Sequence, residues 1–175
     1  MPQTINELSE QEIDNVARVL GKIDPQAPLP QKLFYAIMRI ISNPVVEIVP
    51  WRVSPTTGQK ELLFCKRSMD DPTWPGMLHT PGVIVRPSDG DNYTNSIKRI
   101  AREEMGSVAW ERLNFLMITM GGDVRGHGMG VAFAMKLPSE LDMSQYGEWY
   151  PIGEFPDNCI KAQIPWLTKA VKLIN

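Results

Sequence analysis

Apolar positions along the chain repeat first at helical spacing, then at strand spacing, and return to helical spacing twice more. Ser9 and Glu12 form an S-x-x-E capping box, and Ile13, Val16, Ala17 and Leu20 then share one face until Gly21, which predicts a helix. Asp24 to Pro30 holds three prolines and reads as a rigid connector. A second helix is expected just after Pro30, carrying Leu33, Phe34, Ile37, Met38, Ile40 and Ile41 and stopping before Asn43-Pro44. From Val45 the period falls to two. Residues 45–53 are rich in β-branched residues, with Pro50 implying an edge position or a bulge. A turn over 55–60 and a strand over 61–66 complete a hairpin, and a long polar loop, 67–77, follows with Trp74 near its end. Residues 79–85 look strand-like and feed the loop 86–92.

The next stretch, GDNYTNSIKRIAREEMG, predicts a helix that starts at about Tyr93 or Thr94, with Asn92, Thr94 and Asn95 as possible N-caps. Gly106 suits the left-handed position beyond its end. Strands are then expected over 113–120 and 129–137, joined by a turn over 121–128. In the second of these, Met129, Val131, Phe133, Met135 and Leu137 fall on one face. Gly130, Ala132 and Ala134 fall on the other, where small side chains leave room for a helix. A short strand (148–152), a turn (154–158) and a last amphipathic helix from Ile160 to Ile174, kinked or delayed by Pro165, close the chain. Strands, a helix, strands and a helix argue for an α+β protein with a mixed sheet between helical layers. The expected division is a helical extension over residues 1–44 and a main domain over 45–175. The extension is expected to pack on the main domain or on a second chain as a homodimer contact.

Composition narrows the class. The 175 residues are 43% apolar and 22% charged, which is ordinary for a globular protein. A net charge of −2 gives no electrostatic case for broad nucleic-acid or membrane binding. Cys65 and Cys159 lack metal-ligand spacing and read as reduced, small apolar residues. With a polar N-terminus and no long apolar run, a cytoplasmic location is the expectation.

The central helix carries the chemistry. Ile97, Ile100, Ala101 and Val108 make its core-facing stripe, and Glu104 falls within that stripe. A carboxylate there loses solvation unless a cation or strong donors replace the water. Glu103 is its neighbour, and Arg99 stands one turn before Glu103. Adjacent carboxylates repel, and a divalent cation turns that repulsion to use.

Arg99, Glu103, Glu104 and Gly106 stand at the spacing R-x-x-x-E-E-x-G, which resembles the second half of the Nudix box, G-x5-E-x7-R-E-U-x-E-E-x-G-U, U being a bulky aliphatic residue. His79-Thr80-Pro81-Gly82 resembles the H-T-P-G-G run that opens the box, and Gly90-Asp91 its Gly-Glu. Outside the box, LLFCKRSMDDPTWPGMLHTPG resembles the family's strand, Arg-containing loop and W-x-x-P-G entry. GGDVRGHG resembles the D-P-R-G-H hairpin, with Val124 where Pro is frequent, and EWYPIGEFP resembles the segment before the closing helix. The departures are specific. Val83 replaces the first Gly, the spacer from Val83 to Asp91 is two residues longer, Asp91 stands for Glu, and Ser107 replaces the last aliphatic residue. Ile100 occupies the place of the first helix Glu.

The resemblance, over about residues 45–175, implies a Nudix-like α/β/α sandwich. It also implies Mg²⁺- or Mn²⁺-dependent hydrolysis of a nucleoside diphosphate linked to another moiety. It places Arg99, Glu103 and Glu104 in the catalytic role, with Glu103, Glu104 and Asp91 as metal ligands. Arg67 and Arg86 are candidates for holding phosphate oxygens, Trp74 for stacking on a base, and Gly82 for lining the substrate site. With Ile100 unable to supply oxygen or base, Asp91, Glu140, Glu148, Glu154 and His127 are the loop candidates for a third ligand or a general base. His79 is expected to hydrogen-bond backbone.

Two other classes fit parts of the pattern. Residues 66–78 and the missing helix Glu also resemble isopentenyl-diphosphate isomerases, but the Cys-Gly-His which that family needs reads Pro81-Gly82-Val83 here. A Nudix-like nucleotide-binding or regulatory domain without turnover is favoured by Ile100 and opposed by Glu103 and Glu104.

Overall fold

A computed structural model describes residues 7–123 and 126–175. Helix α1 spans Glu10–Leu20 and α2 spans Gln31–Met38. Strands β1 (Ser42–Val53), β2 (Lys60–Lys66), β3 (Leu78–His79) and β4 (Gly82–Ile84) lead to helix α3 (Tyr93–Met105). Strands β5 (Arg112–Asp123), β6 (Gly126–Lys136) and β7 (Gly147–Pro151) lead to helix α4 (Ile164–Ile174). The strands form one mixed sheet in the order β3-β2-β1-β6-β5, with β4 on β1 and β7 on β2. The β1–β6 pair is parallel and the other pairs are antiparallel.

Alternation along β1 sorts the core into two layers. Val46 and Ile48 pack with Ile97, Ile100 and Met105 beneath α3. Val49 and Trp51 pack with Leu167 and Ala170 of α4 on the other face. Ala132 and Ala134 of β6 join the α4 layer, so the small-residue face admits the closing helix as its composition predicts. Helix, sheet, helix is the expected sandwich.

Several local expectations are revised. Pro50 lies in the middle of the sheet, opposite Met135 of β6. It is tolerated because on its other side β1 pairs with β4 only through residues 45–47 and with β2 only through 51–53. Pro50 falls between these stretches, where a missing N–H breaks no ladder. The strand expected over 79–85 is broken at Thr80-Pro81 into β3 and β4. Helix α2 stops at Met38 rather than Ile41, because the Asn43 side chain donates to the Met38 carbonyl at 3.2 Å and to Ile41 at 3.3 Å. The hairpin runs further than expected: β5 reaches Asp123 and β6 begins at Gly126, while Val124 lies outside the described residues. Pro165 delays the last helix, which follows a 3-10 turn over Lys161–Gln163.

The N-terminal capping box forms, Glu12 N–H to Ser9 Oγ at 3.3 Å and Ser9 N–H to Glu12 at 2.8 Å. The stripe it introduces is not buried within the chain, and Ile13, Val16, Val19 and Leu20 stay exposed. Among the described residues no helix is long and apolar enough to cross a membrane.

Candidate functional site

Helix α3 starts and stops as its sequence predicts. Asn92 accepts from the Thr94 N–H at 3.0 Å, and Gly106 ends the helix in the left-handed region at φ 69°. A side chain at Gly106 would collide with the Tyr146 ring, so the position needs glycine twice over. One side of α3 seals into the core through Ile97 and Ile100, the latter fully buried. Its last turns face a cleft of about 850 Å³. The connector after α1, helix α2, strands β1, β4, β5 and β6 and the start of α4 supply the other walls.

The cleft gathers Arg67, Trp74, Gly82, Arg86, Arg99, Glu103 and Glu104. Arg99 is buried, and Asp89 is its main partner: Nε donates to Oδ1 at 2.9 Å and a terminal nitrogen to Oδ2 at 2.7 Å. Glu103, the partner expected for Arg99, stands farther off at 3.7 Å and also meets Arg102 at 3.1 Å. Asp89 also accepts from Ser96 Oγ and from the Arg86 N–H, both at 2.9 Å. The Arg99 hydrogen bonds, with these two donors, hold its carboxyl well below the usual range despite burial. Arg99 thus positions the end of α3 and has little freedom to meet a ligand.

Glu104 is the opposite case. Burial pushes its carboxyl up to about 7, against the pull of Arg67 and of the Gly82 N–H, which donates to it; Glu103 adds to the rise and Arg99 opposes it. Arg67 lies 5.5 Å from the Trp74 ring centroid and pairs with Asp71 at 2.8 Å. Asp71 in turn accepts from the N–H groups of Thr73 and Trp74, which ties the polar loop together. Arg67 Nε is buried without a hydrogen-bond partner among the described residues. His79 bonds the Thr80 carbonyl at 2.9 Å, the backbone role expected of it. Both cysteines are free and buried, and burial followed by the Glu104 charge pushes the Cys65 thiol up to about 12.

Other expected residues lie elsewhere. Asp91 is exposed where the chain enters α3 and is not part of the cleft wall. Asp89 takes the inward place. The box pattern puts its first Glu six residues after the first glycine, and counting forward from Val83 gives Asp89; counting back from Arg99 gives Asp91. The two extra residues therefore follow the acid rather than precede it. Glu148 is in β7, bonded by the Tyr150 hydroxyl at 3.0 Å, and neither it nor Glu140 nor Glu154 lines the cleft. His127 does line it, from strand β6 rather than a loop, with its ring 2.8 Å from Ser42 Oγ.

Two cleft residues had no sequence prediction. Glu47 of β1 stands across from Gly82, and a Cβ there would run into its carboxylate. Gln163, just before α4, donates to Glu47 at 3.4 Å and to the Thr80 carbonyl at 3.0 Å, and accepts from the Thr80 N–H at 2.8 Å.

Among the described residues no group of three or more His, Cys, Asp or Glu is placed to hold a metal ion. Glu103 and Glu104 offer carboxylate oxygens, and Glu104 is half-buried without full compensation of its charge. A hard cation needs about six oxygens. These two could supply at most part of such a shell, and the remaining oxygens would have to come from a ligand's phosphates and water.

No family model and no curated protein sequence matches the chain. Solved structures do. The NUDIX domain of Shewanella oneidensis NrtR, complexed with ADP ribose, superposes at TM-score 0.61 and 15% identity, over 96% of this chain and all of that one. A mutT/nudix family protein from Listeria innocua gives 0.62 and 18%, over 78% of this chain and 96% of that one. The C. elegans Ap4A hydrolase gives 0.59 and 16%, over 77% and 100%. With the sandwich, the Arg-Glu-Glu helix and its glycine stop in place, the chain has the Nudix fold, carrying a degenerate box.

Proposed function

We propose that the cleft binds a nucleoside diphosphate linked to another moiety and hydrolyses it slowly with Mg²⁺ or Mn²⁺. The observation that carries the reading is that Arg67, with its unpartnered buried Nε, the half-buried Glu104 and Trp74 all line one large cleft. A cationic donor and an aromatic ring suit a phosphate attached to a flat group. The neighbouring structures that carry ADP ribose or act as an Ap4A hydrolase belong to the same ligand class.

The chain's own residues divide the work. Arg67 draws the diphosphate to the end of α3, and its contact with Asp71 and Trp74 fixes the guanidinium plane. Arg86, also on the cleft wall, reaches a second phosphate. Arg99, anchored by Asp89, keeps Glu103 and Glu104 on one edge of the cleft. Gly82 holds Glu104 through its N–H. A cation held by Glu103 and Glu104 would neutralise phosphate charge and acidify a bound water. Turnover is slow because Ile100, fully buried, leaves the helix without a third carboxylate at the cleft.

Calorimetry with Mg²⁺ and a panel of ADP-ribose, sugar nucleotides and dinucleoside polyphosphates tests the reading, followed by product release on the same mixtures. Heat with release supports the hydrolase. Heat without release supports the second reading, a nucleotide-binding module, which the burial of Ile100 favours. Neither signal would exclude both.

A further inference from the structure

The connector after α1 and helix α2 bring only apolar side chains to the cleft. Pro25, Pro28 and Leu29 line it from the connector, and Phe34, Ile37 and Ile41 from α2 and the turn beyond it. No lining residue of this segment has a nitrogen or oxygen in its side chain. The two prolines also lack N–H groups, so the backbone there offers no donor. Phe34, Ile37 and Ile41 recur at helical spacing, and the Ile41 N–H still bonds the Ile37 carbonyl at 3.2 Å. They make one stripe, roughly 10 Å long at the rise of a helix. None of the three belongs to either core layer; Phe34 and Ile37 are half-buried and Ile41 is exposed.

The wall is anchored to the sheet. The buried Asn43 side chain shares its amide among the carbonyls of Met38, Ile41 and His127, at 3.2, 3.3 and 3.2 Å, which ties the end of α2 to β6. Gly126 closes the same joint, since a Cβ there would run into the Met38 carbonyl. A single cleft therefore carries the guanidinium groups of Arg67 and Arg86 and a fixed apolar stripe.

We propose that the moiety linked to the diphosphate is an aliphatic chain lying along Phe34, Ile37 and Ile41, which makes the ligand amphiphilic. The inference rests on the function proposed above and names the substrate class it takes. A sugar or a second nucleoside brings several hydroxyls, and each one laid on this wall loses its water without gaining a partner. A hydrocarbon chain loses nothing there, and each methylene fully withdrawn from water tightens binding by up to about fourfold. The cations of the same cleft complement the other end of such a ligand.

The test measures affinities of the full chain, with Mg²⁺, for ADP-ribose and for the methyl, butyl and octyl esters of ADP at its β-phosphate. Affinity should rise with chain length, the octyl ester binding at least tenfold more tightly than the methyl ester and than ADP-ribose. Phe34→Gln keeps a good helix former in α2 but lays an amide on the stripe. It should reduce the octyl-to-methyl ratio at least threefold. Ile41→Gln, at an exposed position beyond the helix, should do the same if the first variant fails to fold. Methyl and octyl esters that bind alike overturn the inference and leave the proposed function intact. So does ADP-ribose binding more tightly than the octyl ester, which gives the wall to a polar moiety. An octyl preference that persists in Ile41→Gln and in folded Phe34→Gln also overturns it, placing the chain on another surface such as the exposed face of α1. Equal loss of every probe in both variants overturns it too, making the stripe a support for the whole cleft. A natural chain that binds none of the probes overturns the inference together with the function beneath it.

Discussion

Two carboxylates, Asp89 shortly before helix α3 and Glu104 in its last turn, are treated in opposite ways. At the start, Asp89 is enclosed by Arg99, Ser96 Oγ and the Arg86 N–H, and its charge is fully answered. At the end, Glu104 is half-buried with one N–H and more distant guanidinium groups, and its carboxyl rises to about 7. Both are acids partly or wholly shielded from water around the same helix. The first arrangement stabilises the fold. The second costs stability and leaves a demand for positive charge, which the proposed function would meet with a cation. The two acids therefore differ in their partners, although they stand only fifteen residues apart.

The largest effect is expected at the residue between them. Ile100→Glu places a charge among Ile97, Met105 and Met135, in the α3 layer of the core, rather than in the cleft. A loss of roughly 4 kcal/mol or more is expected, enough to abolish a cooperative melt. A stable variant with improved cation affinity would instead show that α3 can turn this position to the cleft. Next is Arg99→Met, which leaves the buried Asp89 with the Ser96 and Arg86 N–H donors but no cation, at the cost of about 3–5 kcal/mol in urea unfolding. A loss below about 1 kcal/mol would return the pair to the class of surface ion pairs.

Asp89→Asn sharpens the contrast through pH. The folded Asp89 carboxyl is held below its unfolded value. Its contribution is therefore fully present above the unfolded value, roughly pH 4, and is lost as pH falls towards the lowered folded value. Urea unfolding at pH 7 should show the variant weaker by about 2 kcal/mol, with the gap closing in acid. Parallel curves from pH 7 into acid would contradict the pairing. Glu104→Gln should act with the opposite sign. The folded carboxyl is raised, so its ionised form burdens the fold above about pH 7. The variant without cation should be more stable at pH 8 by about 1–3 kcal/mol, and the gain should fade as pH falls through 7 and the natural group protonates. The same variant should lose at least tenfold in divalent-ion affinity, about 1.4 kcal/mol. A destabilised variant at pH 8 would mean that Glu104 is as well paired as Asp89.

The sequence made the helix legible and half of its surroundings illegible. Caps and stripe are local, so Asn92, Gly106, Ile97 and Ile100 fall where their own neighbours dictate. Asp89 was missed because the dipeptide Gly90-Asp91 offered a nearer match, and the inserted residues hid the register. Counting from both ends would have exposed the conflict. Glu47 carried a signal too, as the one charge inside the apolar run VVEIVP, on the face opposite Val46 and Ile48. What it meets, however, is Gln163, distant in sequence, and no local pattern encodes that approach. Pro50 misled for a related reason. Its tolerance comes from a gap between two partner strands, which is a property of the sheet and not of the strand. The α1 stripe is amphipathic, yet periodicity names only the face that is able to be buried.

The most direct test is a cation titration carried out twice, with and without a non-hydrolysable nucleoside diphosphate analogue. If Glu103 and Glu104 are the protein's ligands, as proposed, Mn²⁺ or Mg²⁺ alone should bind weakly. The analogue should tighten it, and the cation should tighten the analogue by the same factor, as linkage requires. Tight cation binding without the analogue, unchanged by its addition, would mean that the metal site is complete in the protein and lies elsewhere than at the end of α3.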